Sequence, residues 1–148
     1  MADVFSKKKR SEIMSRIRSK DTAIEKIAFS FLRKNKIHFQ PHYSKVAGKP
    51  DIALPSKKRA IFINGDFWHG YHFGRWKNRI PKKYWVAKIE GNILRDRKNC
   101  RKLKREGWEV MKIWGHELIK NPSLTCRKIS KFLTAKEKLS VNKKHKYI

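Results

Sequence analysis

Arg59-Ala60-Ile61-Phe62-Ile63, running on into Asn64-Gly65-Asp66-Phe67-Trp68-His69-Gly70, is the stretch that decides the fold. Ala60 to Ile63 form an unbroken apolar run of strand length, and Gly65 and Gly70 bracket the loop that ends it. Upstream, Asp51-Ile52-Ala53-Leu54 reads as a second strand, set off by Gly48 on one side and Pro55-Ser56 on the other. Ile37–His42 reads as a third. Downstream, Trp108–Trp114 alternates as a strand, with Trp108, Val110 and either Ile113 or Trp114 facing inward.

Helical spacing fills the remainder. Thr22 and Glu25 have the S/T-x-x-E spacing of a capping box, and Ile24, Ile27, Ala28, Phe31 and Leu32 supply the buried face that follows. A long helix is expected from about Lys83 to Arg105. Its apolar row is Val86, Ile89, Ile93, Cys100 and Leu103, with Asp96 on the same row. Gly107 stops it. Pro122 opens a last helix reaching about Lys136. Residues 1–20 read as a basic helical arm with Ile13, Met14 and Ile17 as a thin stripe, and 139–148 as a cationic tail. Residues 64–82 are expected to be irregular. The order αα-βββ-α-β-α predicts an α/β fold with a mixed central sheet flanked by helices.

The chain has 148 residues, enough for one domain with a single core. It carries 39 Lys and Arg against 12 Asp and Glu, a net charge of +27. Such a surface attracts polyanions, so a phosphate backbone is the natural partner. A ribosomal-type RNA binder and a generally lysine-rich proteome are the bland alternatives. Eight Phe, five Trp and four Tyr are too many for a disordered basic tail. Cys100 and Cys126 lack a metal-binding spacing and read as core fillers of a cytoplasmic protein. No apolar run approaches a membrane span, and no membrane partner is expected.

Acids are scarce here, so each one away from the obvious surface is informative. Asp51 follows Lys49-Pro50 and begins a strand, where its carboxylate would suit Mg²⁺ together with water and substrate phosphate. The competing reading is an Asp capping its own turn. Glu25 is either the capping-box partner alone or also a helper of that metal. His69 sits in a Gly-flanked loop and offers an imidazole that titrates near neutral pH, suited to acid–base work on a phosphodiester. Phe67 and Trp68 beside it could wedge between bases; the competing reading folds both rings back into the core. Asp96, between Arg95 and Arg97, reads as an orienting group for the site or as a plain helix-surface ion pair.

Taken together, Asp21-Thr22-Ala23-Ile24-Glu25, Gly48-Lys49-Pro50-Asp51, Phe62 to His69, Lys88-Ile89-Glu90-Gly91-Asn92, Arg95-Asp96-Arg97 and Gly107-Trp108-Glu109-Val110 resemble the very-short-patch repair (Vsr) endonucleases. The likeness runs in order from about Met1 to Leu118. It implies a restriction-endonuclease-like core over residues 21–138 that nicks DNA beside a T:G mismatch left by deaminated 5-methylcytosine. It implies that Asp51 and the Ile63 backbone carbonyl bind Mg²⁺, that Glu25 assists through water, and that His69 acts at the scissile phosphate. Phe67 and Trp68 would intercalate, with Met14 entering from the other groove. A monomer acting on duplex DNA is expected, with mismatch-repair proteins as further partners.

Two departures stand out. The family pattern often has Thr-His where this chain has Ile63-Asn64, so Asn64 puts one titratable group in doubt. Better-known members carry a structural zinc held mainly by cysteines; here those positions are Asp66, Tyr71 or His72, Phe73 and His116. No zinc is expected from Asp66, His72 and His116. Instead Asp66 should pair with His116, while Phe73 and Trp76 fill the space. The alternatives are a restriction-type endonuclease cutting matched duplex and a non-enzymatic basic nucleic-acid-binding domain.

Overall fold

A computed structural model describes residue 8 and residues 22–80 and 82–136. The N-terminal arm with Met14, and the tail 139–148, lie outside the described residues.

Helix α1 (Ala23–Lys34) starts on the capping box. Thr22 Oγ1 accepts from the Glu25 N–H at 3.4 Å, and Glu25 Oε2 accepts from the Thr22 N–H at 3.2 Å. The chain then crosses a four-stranded sheet in spatial order β1 (Gln40–Pro41), β2 (Ile52–Leu54), β3 (Arg59–Asn64), β4 (Glu109–Trp114). β1–β2 and β2–β3 pair antiparallel, and β3–β4 pair parallel. The expected strand at Ile37–His42 shrinks to two residues, because Pro41 has no N–H to donate and His42 turns to φ +48°.

Between β3 and β4 the chain makes a short helix α2 (Phe73–Trp76), a 3₁₀ turn at Lys77–Arg79 and a π turn at Lys82–Val86, so 64–82 is not wholly irregular. It then runs through the long α3 (Ala87–Arg105). Gly107, at φ +89°, takes the left-handed turn beyond that helix. After β4 comes a helix the periodicity did not predict, α4 (Gly115–Lys120), then α5 (Pro122–Thr134).

Both sheet faces are covered. Ile52, Ile61, Ile63 and Ile113 project to one side and pack with Phe29, Leu32, Leu118, Ile129 and Leu133 from α1, α4 and α5. On the other side Ala53, Ala60, Phe62 and Val110 meet Leu103 of α3 and Trp108. Inward residues of β4 are therefore Met111 and Ile113 on one face and Val110 on the other. In α3 the buried positions are Ile89, Asn92 and Leu103, whereas Cys100 stays half-buried.

Among the described residues, one charged group is buried away from any site. Arg59, 2% exposed at the start of β3, donates from its guanidinium to the carbonyls of Leu133, Ala135 and Lys136, capping the end of α5. Among the described residues no helix is long and apolar enough to cross a membrane.

Candidate active site

Two groups of side chains meet at the C-terminal end of β3. The first is Glu25, His42 and Asp51, each offering one donor atom within 4.8 Å of the others. Asp51 enters β2 behind the buried Pro50, and its Oδ2 accepts the Ile63 N–H at 2.7 Å. His42 is fixed through its backbone N–H, donated to the Asp51 carbonyl at 3.0 Å, while its Nε2 lies 3.6 Å from Glu25 Oε2. The edge-on contact between Phe29 and the His42 ring, 5.4 Å between centroids, holds the imidazole against α1.

Burial foremost, with the neighbouring Glu25 charge, pushes the Asp51 carboxyl up to about 7 against the opposing Ile63 N–H. Two carboxylates held this close make a place short of positive charge. Two oxygen donors and an imidazole nitrogen there fit a divalent cation. Glu25 caps α1 and its carboxylate also stands beside Asp51 and His42. His42 was missed by sequence reading, which saw only the end of a strand. A histidine just after a strand proline carries no local signal; only the fold brings it to Asp51.

The second group is His69 with Asp96, whose Nδ1 and Oδ2 are 2.6 Å apart. Asp96 therefore faces the loop after β3 and is not a plain surface ion pair. The loop is tied down at several points. The His69 N–H donates to the Gly65 carbonyl at 3.1 Å, and Asn92 Nδ2 donates to the Trp68 carbonyl at 2.8 Å. Gly70, at φ +71°, lies so near α3 that a Cβ would come 2.5 Å from Ile93 Cδ1, which is why glycine stands there. His69, Asp96, Asn64, Arg97 and Lys112 line a cleft of about 380 Å³. The two groups adjoin through β3: Ile63 is held by Asp51, and Asn64, the next residue, lines the cleft.

Beside the cleft stands an aromatic cluster. Phe67 is 38% exposed, whereas Trp68 is half-buried. Phe67 stacks on Trp76 (5.4 Å, 21°), and Trp85 contacts both Phe67 and Trp68, at 5.9 and 5.7 Å. Trp85 also escaped the sequence reading, since the π turn that presents it breaks the helical period.

Asp66 Oδ2 lies 2.8 Å from His116 Nδ1, and its Oδ1 accepts the His116 N–H at 3.3 Å. Tyr71 packs on His116, at 4.5 Å between rings, and on Trp114, at 5.0 Å. Phe73 meets Trp76 edge-on at 5.1 Å. His72 is exposed at φ +50° beside Tyr71. Asp66 thus clasps the start of the aromatic loop to the start of α4.

The family model for the DNA mismatch endonuclease Vsr matches residues 2–75. The chain is 35% identical over 133 residues to the DNA mismatch endonuclease Vsr of Escherichia coli, covering 86% of this chain and 85% of that protein. It is 37% identical over 130 residues to the type II nicking enzyme V.XorIIP of Xanthomonas oryzae, covering 86% and 94%. The type II nicking enzyme V.NmeDIP of Neisseria meningitidis is 31% identical over 140 residues, covering 93% and 95%. In fold, the catalytic domain of the homing endonuclease I-Bth0305I superposes with a TM-score of 0.53 at 21% identity, over 76% of this chain and 94% of that one. The architecture is restriction-endonuclease-like, and the chain belongs to the Vsr family of DNA mismatch endonucleases.

Proposed function

We propose that this endonuclease is Mg²⁺-dependent and nicks one strand of duplex DNA beside a T:G mismatch. The observation that carries this reading is the meeting of Glu25, His42 and Asp51 one residue from a cleft in which Asp96 orients His69. Asp51 and the Ile63 carbonyl would hold the cation directly, with Glu25 acting through water and His42 closing the cluster. When bound, Mg²⁺ supplies positive charge against the charge that builds on the phosphate during attack by water.

The chain's own residues do the remainder. Asp96 takes Nδ1 of His69, leaving Nε2 to move a proton at the scissile phosphate. Asn64 donates an amide hydrogen bond from the cleft wall, where a histidine would have offered a titratable group. Phe67, already exposed, and Trp68 behind it wedge into the duplex; a mismatched step is the cheapest to unstack, so the wedge itself selects. Met14, outside the described residues, is assigned the opposite groove. One chain supplies both groups, which supports action as a monomer. A nick needs resynthesis and sealing, so mismatch-repair proteins are the fitting downstream partners.

The test is a nicking assay on hairpin duplexes carrying T:G or T:A, with Mg²⁺ and with chelator. T:G duplexes should be nicked on one strand only when Mg²⁺ is present, and Asp51→Ala should abolish nicking while retaining binding. Equal cutting of T:A would point instead to a restriction-type enzyme on matched duplex.

A further inference from the structure

The α3-facing side of the sheet changes character along its length, in three elements at once. Strand β3 presents Ala60, Phe62 and then Asn64 on this face; β4 presents Val110, Lys112 and Trp114; α3, running the other way, presents Leu103, Asn99 and Asp96. The register pairs Phe62 with Lys112 and Asn64 with Trp114, so Lys112 lies one step from Asn64 on the shared face. On β4 the second core ends at Val110, and position 112, next on the same face, is exposed. A lysine there places a strongly hydrated cation against the cleft.

Lys112 lines the cleft together with Asn64, His69, Asp96 and Arg97. Of these, Asp96 is engaged by His69, and Asn64 is a neutral amide that can orient an oxygen without offsetting its charge. Arg97 and Lys112 are both exposed, Arg97 on α3 and Lys112 on the sheet beside Asn64. Lys112 is the cation that rises from the sheet between the strand carrying Asn64 and the helix carrying Asp96.

We propose that Lys112 is a further catalytic residue, its ammonium contacting the phosphate at the cut and stabilising the charge that develops there. This rests on the reading above that the cleft receives the scissile phosphate. A charged donor already in place when charge builds costs no reorganisation at that moment, and losing such a donor typically costs on the order of 10²–10³ in rate.

The experiment compares wild type with Lys112→Met, which keeps the aliphatic stem, and with Lys112→Arg, which keeps the charge. Folding is verified by circular dichroism, with Lys112→Gln as a second neutral variant. Single-turnover nicking is measured on whichever duplex the wild-type protein cuts. A missing T:G preference therefore shows in wild type, and a misassigned Lys112 shows in the ratio of variant to wild type. Binding to the same duplex is titrated against salt in chelator. Lys112→Met should nick at least about tenfold more slowly and lose about one unit from the slope of log affinity against log salt, with Lys112→Arg retaining most of both. Nicking within twofold of wild type overturns the assignment. Slow nicking with an unchanged salt slope also overturns it, since Lys112 would then serve only as a structural neighbour of Asp96.

Discussion

Nδ1 of His69 and Oδ2 of Asp96 meet at 2.6 Å across the gap between the loop after β3 and the middle of α3. The contact fixes which ring nitrogen is left for substrate. His69→Ala should slow single-turnover nicking by about 10² or more, the usual share of a positioned acid or base. Asp96→Asn keeps the ring but loosens its orientation, and should cost about tenfold. Because both act through one imidazole, the double variant should be no slower than His69→Ala. Independent, multiplying losses would show that Asp96 works elsewhere.

Asp51 has its proton affinity raised to about 7 by burial, and then by Glu25. A carboxyl raised in the folded state binds a proton that the unfolded chain releases near 3.8. Its contribution to stability is therefore full below that value and is lost as pH climbs towards 7. Without metal, the protein should melt lower at pH 8 than at pH 5 on this account, and Asp51→Asn should raise the melting temperature at pH 8 by at least about 3 °C. Cation binding requires the carboxylate, so Mg²⁺ affinity measured by calorimetry should climb up to tenfold per pH unit below 7 and level off above it. A flat affinity between pH 5 and 7 would contradict the assignment of Asp51 as a ligand.

Phe67 rests on Trp76 with its ring partly in solvent. Exchanging that stack for a base should alter indole emission when mismatched duplex is added. Phe67→Ala removes stacking of about 1–3 kcal/mol per base. Affinity for a T:G duplex should drop about tenfold or more, while affinity for fully matched DNA stays within threefold. Equal losses on both duplexes would assign the ring to general packing.

Asp66 and His116 clasp each other at two of the positions where the family resemblance would look for zinc. Metal analysis of the purified protein should find well under one zinc per chain, and chelator should leave the melting temperature unmoved. Asp66→Ala, which removes both bonds to the half-buried His116, should lower it by a degree or more. Stoichiometric zinc would refute the clasp.

Some elements were plain in the sequence because one local interaction decides them. Thr22 and Glu25 cap α1 through bonds three residues apart, Gly107 takes the positive φ beyond α3, and the run Ala60–Ile63 is apolar because both sheet faces are covered. Other elements depend on distant partners. β1 is cut short by Pro41, and the six-residue α4 is too short for a period and begins on Gly115. His42 and Trp85 matter only through contacts with residues 9 to 18 positions away, to which spacing along a helix or strand is blind. Lys112 was legible as a strand residue but not as a cleft residue, since only the pairing with β3 shows which wall it stands on.

Arg59 and Asn64 terminate the same six-residue strand, about 17 Å apart at the usual rise. One terminus fastens the last turn of α5 through three carbonyls, and the other borders the groups that meet the duplex. Bound DNA can brace only the latter. Heat and proteases should therefore enter from the rear, peeling α5 from the sheet first, so that the cutting edge is the last part of the molecule to wear out.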